Sequence, residues 1–277
     1  MNKKKDFFAY GGSDSMVVDG HSHVTLPIEE HLRAMDEAGI DKTILFRTMV
    51  HPEAKARASD VQAEMERLGQ ILSGSPSVAN RLARSADEEL FRTVSLHPDR
   101  FYCFGMVPVS MDADAMVACI KEQLSRHHIL GLGEYTLPSG MLSRLEKVIA
   151  ASACAGNLPV WVHCFNPITI DDIMQLELLA KRHPSVPVII GHSGGSNWME
   201  VIDIAKRNRN IYVDLSASFS SMVMKLTVEE LPDKTFFGVD YPYGDMLLSR
   251  LMLERVVADG QTRRQVLGGN IMRLLKL

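Results

Sequence analysis

Short apolar runs rich in β-branched and aromatic residues recur along this chain, and longer amphipathic stretches separate them. Met16-Val17-Val18, Lys42–Phe46, Phe101–Val107, Ile129–Leu132, Pro159–Val162, Val186–Ile190, Ile211–Val213 and Thr235–Val239 read as strands. Helical periodicity predicts helices over Ile28–Ala38, stopped by Gly39, and over Ala54–Leu72, Ala79–Leu96 and Ala113–Arg126. Further helices are expected at Leu142–Ala155, Asp171–Arg182, Trp198–Arg207 and Met222–Glu230, and two more, Met246–Val257 and Arg263–Leu275, close the chain.

Strands that alternate with helices imply an α/β protein with a parallel sheet and right-handed crossovers. The strands are apolar throughout, as expected when helices cover both faces of the sheet. Eight such units in 277 residues close most naturally into a single (β/α)8 TIM barrel. An open doubly wound sheet is the rival, but no glycine-rich phosphate loop follows the first strand. No repeat or low-complexity linker interrupts the pattern, so residues 15–277 read as one domain. Residues 1–14 read as a polar leader: Lys3-Lys4-Lys5 precedes a Phe7-Phe8-Ala9-Tyr10 patch too short for a signal peptide.

Composition narrows the function classes. With 46% hydrophobic and 23% charged residues the chain is globular rather than disordered. A net charge of -4 argues against a general nucleic-acid or membrane surface, so a small-molecule substrate is the expected partner, with homo-oligomerisation left open. No apolar stretch approaches the roughly 20 residues of a membrane span. Cys103, Cys119, Cys154 and Cys164 are scattered without a CxxC pair, which fits reduced thiols and a cytoplasmic location.

The chemistry lies in the polar residues that end the strands. In a parallel barrel the reactive groups sit at the strand C-termini. His21 and His23 end the first strand, on one face because side chains alternate. Arg47 ends the second, Glu134 the fourth, His163 the fifth, His192 the sixth and Asp240 the eighth. Burying this many acids and imidazoles at one mouth would be costly without a partner, and a divalent metal, zinc being the expected ion, would supply it. His192 precedes Ser193-Gly194-Gly195 and could instead cap the next helix; Glu134 could equally serve through hydrogen bonds. Arg47 and His51 are candidate clamps for an anionic substrate. The segment Thr48–Ser77 is longer than an ordinary βα loop and is expected to shape the mouth as a lid.

Taken in order, Asp19–His23, His97–Phe101, Gly131–Glu134, Val162-His163, Gly191–Gly195, Gly238–Asp240 and the tail Val266–Leu275 resemble the amidohydrolase superfamily. The closer likeness is to its amidohydrolase-related branch of aminocarboxymuconate semialdehyde decarboxylase-like proteins. The resemblance implies that His21, His23, His163 and Asp240 are metal ligands, with Asp240 also handling the proton of a metal-bound water. It implies that His192 binds a second ion or polarises the substrate. Urease-like members carry a bridging lysine on strand four where this chain has Glu134, a position closer to TatD-like hydrolases, where a glutamate binds metal. The ion count therefore stands open at one or two. Metal-dependent hydrolysis of a small ester, amide or lactone is the leading expectation, with Asp240 and His192 catalytic. Nonoxidative decarboxylation of an aromatic or unsaturated acid is the alternative, and a barrel that binds a metal without turnover is the third class.

Overall fold

The computed structural model describes residues 15–73 and 76–277. The leader, residues 1–14, and the Gly74-Ser75 end of the expected lid lie outside the described residues. Eight strands alternate with helices: β1 (Val18–His23), β2 (Lys42–Phe46), β3 (Phe101–Cys103), β4 (Leu132–Tyr135), β5 (Val160–Val162), β6 (Val188–Ile190), β7 (Ile211–Asp214) and β8 (Thr235–Phe236). The helices are α1 (Ile28–Ala38), α2 (Ala58–Ser73), α3 (Pro76–Leu96), α4 (Ala113–His127), α5 (Leu145–Cys154), α6 (Ile170–Arg182), α7 (Trp198–Arg207), α8 (Ser221–Glu230), α9 (Met246–Val256), α10 (Gly260–Arg264) and α11 (Asn270–Leu275).

All strand pairs are parallel, β1 to β2 to β3 and then β4 through β8 in order. Backbone bonds join the two runs into a barrel. Gly105 N donates to Gly131 O at 3.0 Å and Gly133 N to Gly105 O at 2.8 Å, joining the chain after β3 to β4. Gly20 N donates to Phe237 O at 2.9 Å and Val239 N to His21 O at 3.2 Å, joining β1 to the chain after β8. The eight-unit α/β barrel read from the sequence is therefore the fold.

The alternation of side chains divides the core into two layers. Val18, Ile44, Phe46, Phe104, Trp161, Ile189 and Phe236 fill the barrel, and Ile271 of α11 joins them. Their neighbours Leu45, Val160, Val162, Val188, Ile190, Ile211 and Val213 face outward against the helices. The helices begin where short polar side chains satisfy their first amides. Asp112 accepts from Ala115 N at the start of α4, Thr169 and Asp172 form a reciprocal capping box on α6, and Asp245 accepts from Leu248 N on α9. Gly39 ends α1 in the left-handed conformation, as the sequence predicts.

Two segments depart from the pattern. β4 starts at Leu132 rather than Ile129, which places Glu134 inside the strand. The closing stretch is not one helix: a wide turn at Gln265–Gly269, with two consecutive glycines, separates α10 from α11. Among the described residues no helix is long and apolar enough to cross a membrane.

Candidate metal centre

The inward parity of each strand carries its side chain to the mouth. Trp161 of β5 points into the barrel, so His163 does too; Tyr212 brings Asp214 and Phe236 brings Asp240 by the same rule. β1 needs a correction to its phase. Its register with β2 shifts between Asp19 and Ser22, and this irregularity lets both Val18 and His21 point inward although they are three residues apart. His21 then packs on Phe46 at 4.6 Å between ring centres and edge-on to Trp161 at 5.4 Å.

Four histidines run in a row across the mouth. Ring centres are 5.4 Å apart for His23 and His21, 5.0 Å for His21 and His192, and 4.7 Å for His192 and His163. Glu134 lies along this row. Its Oε1 is 3.1 Å from His163 Nδ1 and 3.0 Å from His192 Nε2, and its Oε2 is 3.6 Å from His21 Nε2 and 3.9 Å from His23 Nε2. Asp240 Oδ1 approaches His23 Nε2 at 3.3 Å.

The structure thus brings together all six residues expected to bind metal, but groups them differently from the expected single set. His21, His23 and Asp240 form one cluster of close donor atoms; His163 stands with Glu134 and His192 in another. The glycine-rich turn after β6 turns the backbone of His192 and Ser193 left-handed, and His192 makes no helix cap. Its ring instead bonds Ser216 Oγ through Nδ1 at 2.9 Å and meets Glu134 and His163 through Nε2.

Asp214 and Ser216 were absent from the sequence-based set, although Asp214 ends β7 as the other site residues end their strands. Asp214 Oδ2 accepts from His21 Nδ1 at 3.0 Å and from His192 N at 3.3 Å, and Ser216 Oγ donates to the same carboxylate. Asp19 supports the first strand: it accepts from Ser22 Oγ at 2.5 Å and from the amides of His21 and Val239 at 3.1 and 2.9 Å.

The buried charges tune one another. Burial raises the Asp19 carboxyl to about 7 against its hydrogen bonds from Ser22 and His21. Burial also opposes charge on His21, but Glu134 and the hydrogen-bonded Asp214 outweigh it and hold the imidazole well above its ordinary value. Glu134 and Asp214 are lowered in turn: burial works against their charge, and the neighbouring histidines, His21 foremost, overcome it.

These residues fit a divalent ion. His21 Nε2 is buried without a hydrogen-bond partner while Nδ1 is held by Asp214, so the free nitrogen faces Glu134 as a ligand atom. The donors are imidazole nitrogens and carboxylate oxygens, a set suited to zinc and manganese alike.

The two expected substrate clamps are both engaged with carboxylates of the protein. Ile44 and Phe46 point into the barrel, so Arg47 points out of it. Its Nη1 bonds both oxygens of Asp87 on α3 at 2.9 Å, and its Nη2 meets Met106 Sδ at 2.7 Å. His51 is held between Glu53 Oε1 at 2.9 Å and Glu89 Oε2 at 3.1 Å, which raise it to about 9. The segment after β2 does reach the mouth: Glu53 Oε1 accepts from Leu26 N at 3.1 Å, and Met65 of α2 packs beside Tyr243, which follows β8. His31, an ordinary helix histidine in the sequence, is fully buried against Phe101 and Tyr241 and pushed down to about 3.

Aromatic side chains flank the histidine row. Phe165 stands perpendicular to His192 at 6.3 Å and next to Phe219 at 6.2 Å; Tyr243 stands edge-on to His23 at 6.2 Å. Phe219 and Tyr243 are about half exposed.

A family model described as amidohydrolase matches residues 18–277. No curated protein matches the chain in sequence. Among solved structures, 5-carboxyvanillate decarboxylase of Sphingomonas paucimobilis superposes with a TM-score of 0.71 at 17% identity, covering 95% of this chain and 100% of that one. The 2,6-dihydroxybenzoate decarboxylase of Rhizobium gives 0.67 at 17% identity, with 95% and 99% covered. A dihydroxybenzoic acid decarboxylase of Polaromonas, solved with bound manganese and 2-nitroresorcinol, gives 0.66 at 16% identity, with 95% and 97% covered.

Proposed function

The chain belongs to the amidohydrolase family, and from that premise we propose that it is a metal-dependent decarboxylase of an aromatic or conjugated carboxylic acid. The observation that carries this reading is the ring surface beside the histidine row, Phe165 with Phe219 next to His192 and Tyr243 next to His23. Such walls suit a planar apolar body whose carboxylate points down to the donor cluster. The likeness in fold to three decarboxylases of aromatic acids agrees with it.

The hydrolytic expectation gives way for two reasons. It asks His192 or the metal itself to stabilise an oxyanion, and of the two His192 has both ring nitrogens engaged within the protein and a side chain only 2% exposed. The three solved structures described above are decarboxylases, which favours the other reading.

In the proposed reaction the bond between the carboxyl group and the ring carbon breaks, and carbon dioxide leaves. The electron pair stays on the ring carbon, which takes one proton. When bound, the metal would hold the carboxylate or an adjacent hydroxyl and withdraw electron density from the ring. His21 and His23 would hold it with Asp240. Of the site residues, Asp240, His23 and His163 have side chains open to the mouth, at 11%, 14% and 21% exposure. Asp240 Oδ1 is therefore assigned the proton delivery to the ring carbon. Phe165, Phe219 and Tyr243 orient the ring and exclude water.

The test is an assay of the chain loaded with manganese or with zinc. Carbon dioxide release from hydroxybenzoates, lost in Asp240→Asn, is the expected result. Hydrolysis of esters or lactones without carbon dioxide release would overturn the reading.

A further inference from the structure

We propose that the cavity between the turn after β2 and helices α2 and α3 is a second binding site, for a free amino acid with an apolar side chain. Its volume is about 490 Å³, within the roughly 300–1,000 Å³ of small-molecule pockets. None of the metal-site donors lines it, so it stands apart from the centre at the mouth.

The cavity has an apolar interior and a charged rim. Met49, Leu82 and Ala86 supply its apolar lining; Ala86 is buried and the other two are half-buried. Glu88 and Arg92, on the α3 wall, are exposed.

Other charges around the cavity are already answered within the protein. Glu89 meets His51 at 3.1 Å, and Arg67 donates to Glu64 at 2.8 Å and to Met49 O at 2.9 Å. Glu88 and Arg92 are different: among the described residues neither side chain has a hydrogen-bond or ion-pair partner. They stand one helical turn apart on α3, a spacing that brings Cβ atoms within about 5–6 Å and ordinarily lets a glutamate pair with the following cation. Here the two do not pair, and each keeps its charge for a ligand.

A free anion and a free cation side by side select a ligand that carries both signs close together. A simple carboxylate would meet Arg92 favourably but Glu88 unfavourably, and a simple amine the reverse. The ammonium and carboxylate of an amino acid answer both with charge-assisted hydrogen bonds. Its side chain then covers Met49, Leu82 and Ala86, removing apolar surface from water.

Calorimetric titration of the full chain with L-phenylalanine and L-leucine tests this, with metal bound and after stripping by a chelator. Saturable binding, unaltered by stripping, is expected. Phenylpropanoate, which lacks the ammonium, and phenylethylamine, which lacks the carboxylate, should each bind about tenfold more weakly than L-phenylalanine. Arg92→Gln and Glu88→Gln should each weaken L-phenylalanine by about tenfold, with metal content and circular dichroism unchanged. In protein with methyl-labelled methionine, the Met49 signal, assigned through Met49→Leu, is expected to shift as L-phenylalanine is added.

No binding of either amino acid would overturn the site. Phenylpropanoate bound as tightly as L-phenylalanine would overturn the ligand class. Binding that disappears with the metal, or that survives both substitutions in folded protein, would overturn the location. If a variant does not fold, the Met49 signal of the unaltered chain decides: an unmoved signal at saturation counts against the cavity. The decarboxylase reading is untouched by any of these outcomes, since the cavity holds none of its residues.

Discussion

Asp214 Oδ2 accepts a hydrogen bond from His21 Nδ1 at 3.0 Å and so decides which nitrogen of His21 remains for an ion. Both side chains are fully buried, so neither can turn to water for an alternative partner. Replacing such an orienting carboxylate weakens a metal site by about 10–100-fold. Asp214→Asn is expected to lower manganese affinity within that range, with the far-ultraviolet circular dichroism unchanged. Calorimetric titration checks this, and undiminished affinity would remove the orienting role.

Gly133 sits where β4 passes closest to β5. Its φ is +146°, and an added Cβ would lie 2.6 Å from Trp161 O and 2.8 Å from Trp161 Cβ. Strain and overpacking of this kind each cost about 1–3 kcal/mol. Gly133→Ala is therefore expected to lower stability by about 3 kcal/mol and to displace the adjacent Glu134, weakening metal binding. Urea melts that move by less than about 0.5 kcal/mol, within the range of an ordinary surface substitution, would contradict this.

The pair Arg47 and Asp87 ties α3 to the outside of the barrel. Its side chains are 12% and 21% exposed, and burial raises the Asp87 carboxyl in spite of its partner. Removing one member of a largely buried pair strands the other. Arg47→Ala is expected to cost about 2 kcal/mol in chemical denaturation and to leave the preference among carboxylate substrates unchanged. A raised KM for anionic substrates at unaltered stability would instead restore Arg47 as a substrate clamp.

His51 supplies the pH dependence. Hydrogen bonds to Glu53 and Glu89 raise it to about 9, above the ordinary histidine value of about 6.5. The folded protein therefore holds this proton more tightly than the unfolded chain does. The stabilisation is fully present below about pH 6.5 and is lost as the pH rises through 9. His51→Gln should be less stable than the parent by about 1 kcal/mol at pH 6, and the gap should close by about pH 10. A gap that is constant from pH 6 to 10 would exclude an ionic origin.

The alternation of side chains made much of this site legible before any coordinates. Trp161, Tyr212 and Phe236 set the inward parity of their strands, and His163, Asp214 and Asp240 follow from it. The same parity excludes Arg47, because Ile44 and Phe46 already point inward; its placement among the clamps weighed its position at the strand end and not its phase. Asp214 is open to the same reading, since it follows Tyr212 by two residues, but it lies one residue beyond the expected strand Ile211–Val213. Other features had no signature in the sequence. The shifted register of β1 reverses the phase that Val18 would impose on His21, and nothing in Asp19-Gly20-His21 announces it. On β4, Gly131 and Gly133 carry no side chain to alternate, so the strand start was read three residues early. The partners of His51 come from the short turn at Pro52–Ala54 and from α3, which a residue pattern cannot bring together.

The seam between β1 and the chain after β8 has a consequence for how the protein comes into being. Asp240 N donates to His21 O at 2.6 Å, and Tyr241 N donates to Ser22 Oγ at 3.1 Å across 219 residues of sequence. The first two donors of the site and the last are thus stitched to each other directly, while nearly the whole chain intervenes. Contacts of such span form late in folding, after the intervening loop has been closed. A nascent chain that has emerged from the ribosome as far as β7 already exposes four histidines and Glu134, yet it has no Asp240 and no seam to hold His21 in place. The native geometry of the centre therefore requires the eighth strand, whose backbone holds the first one in place.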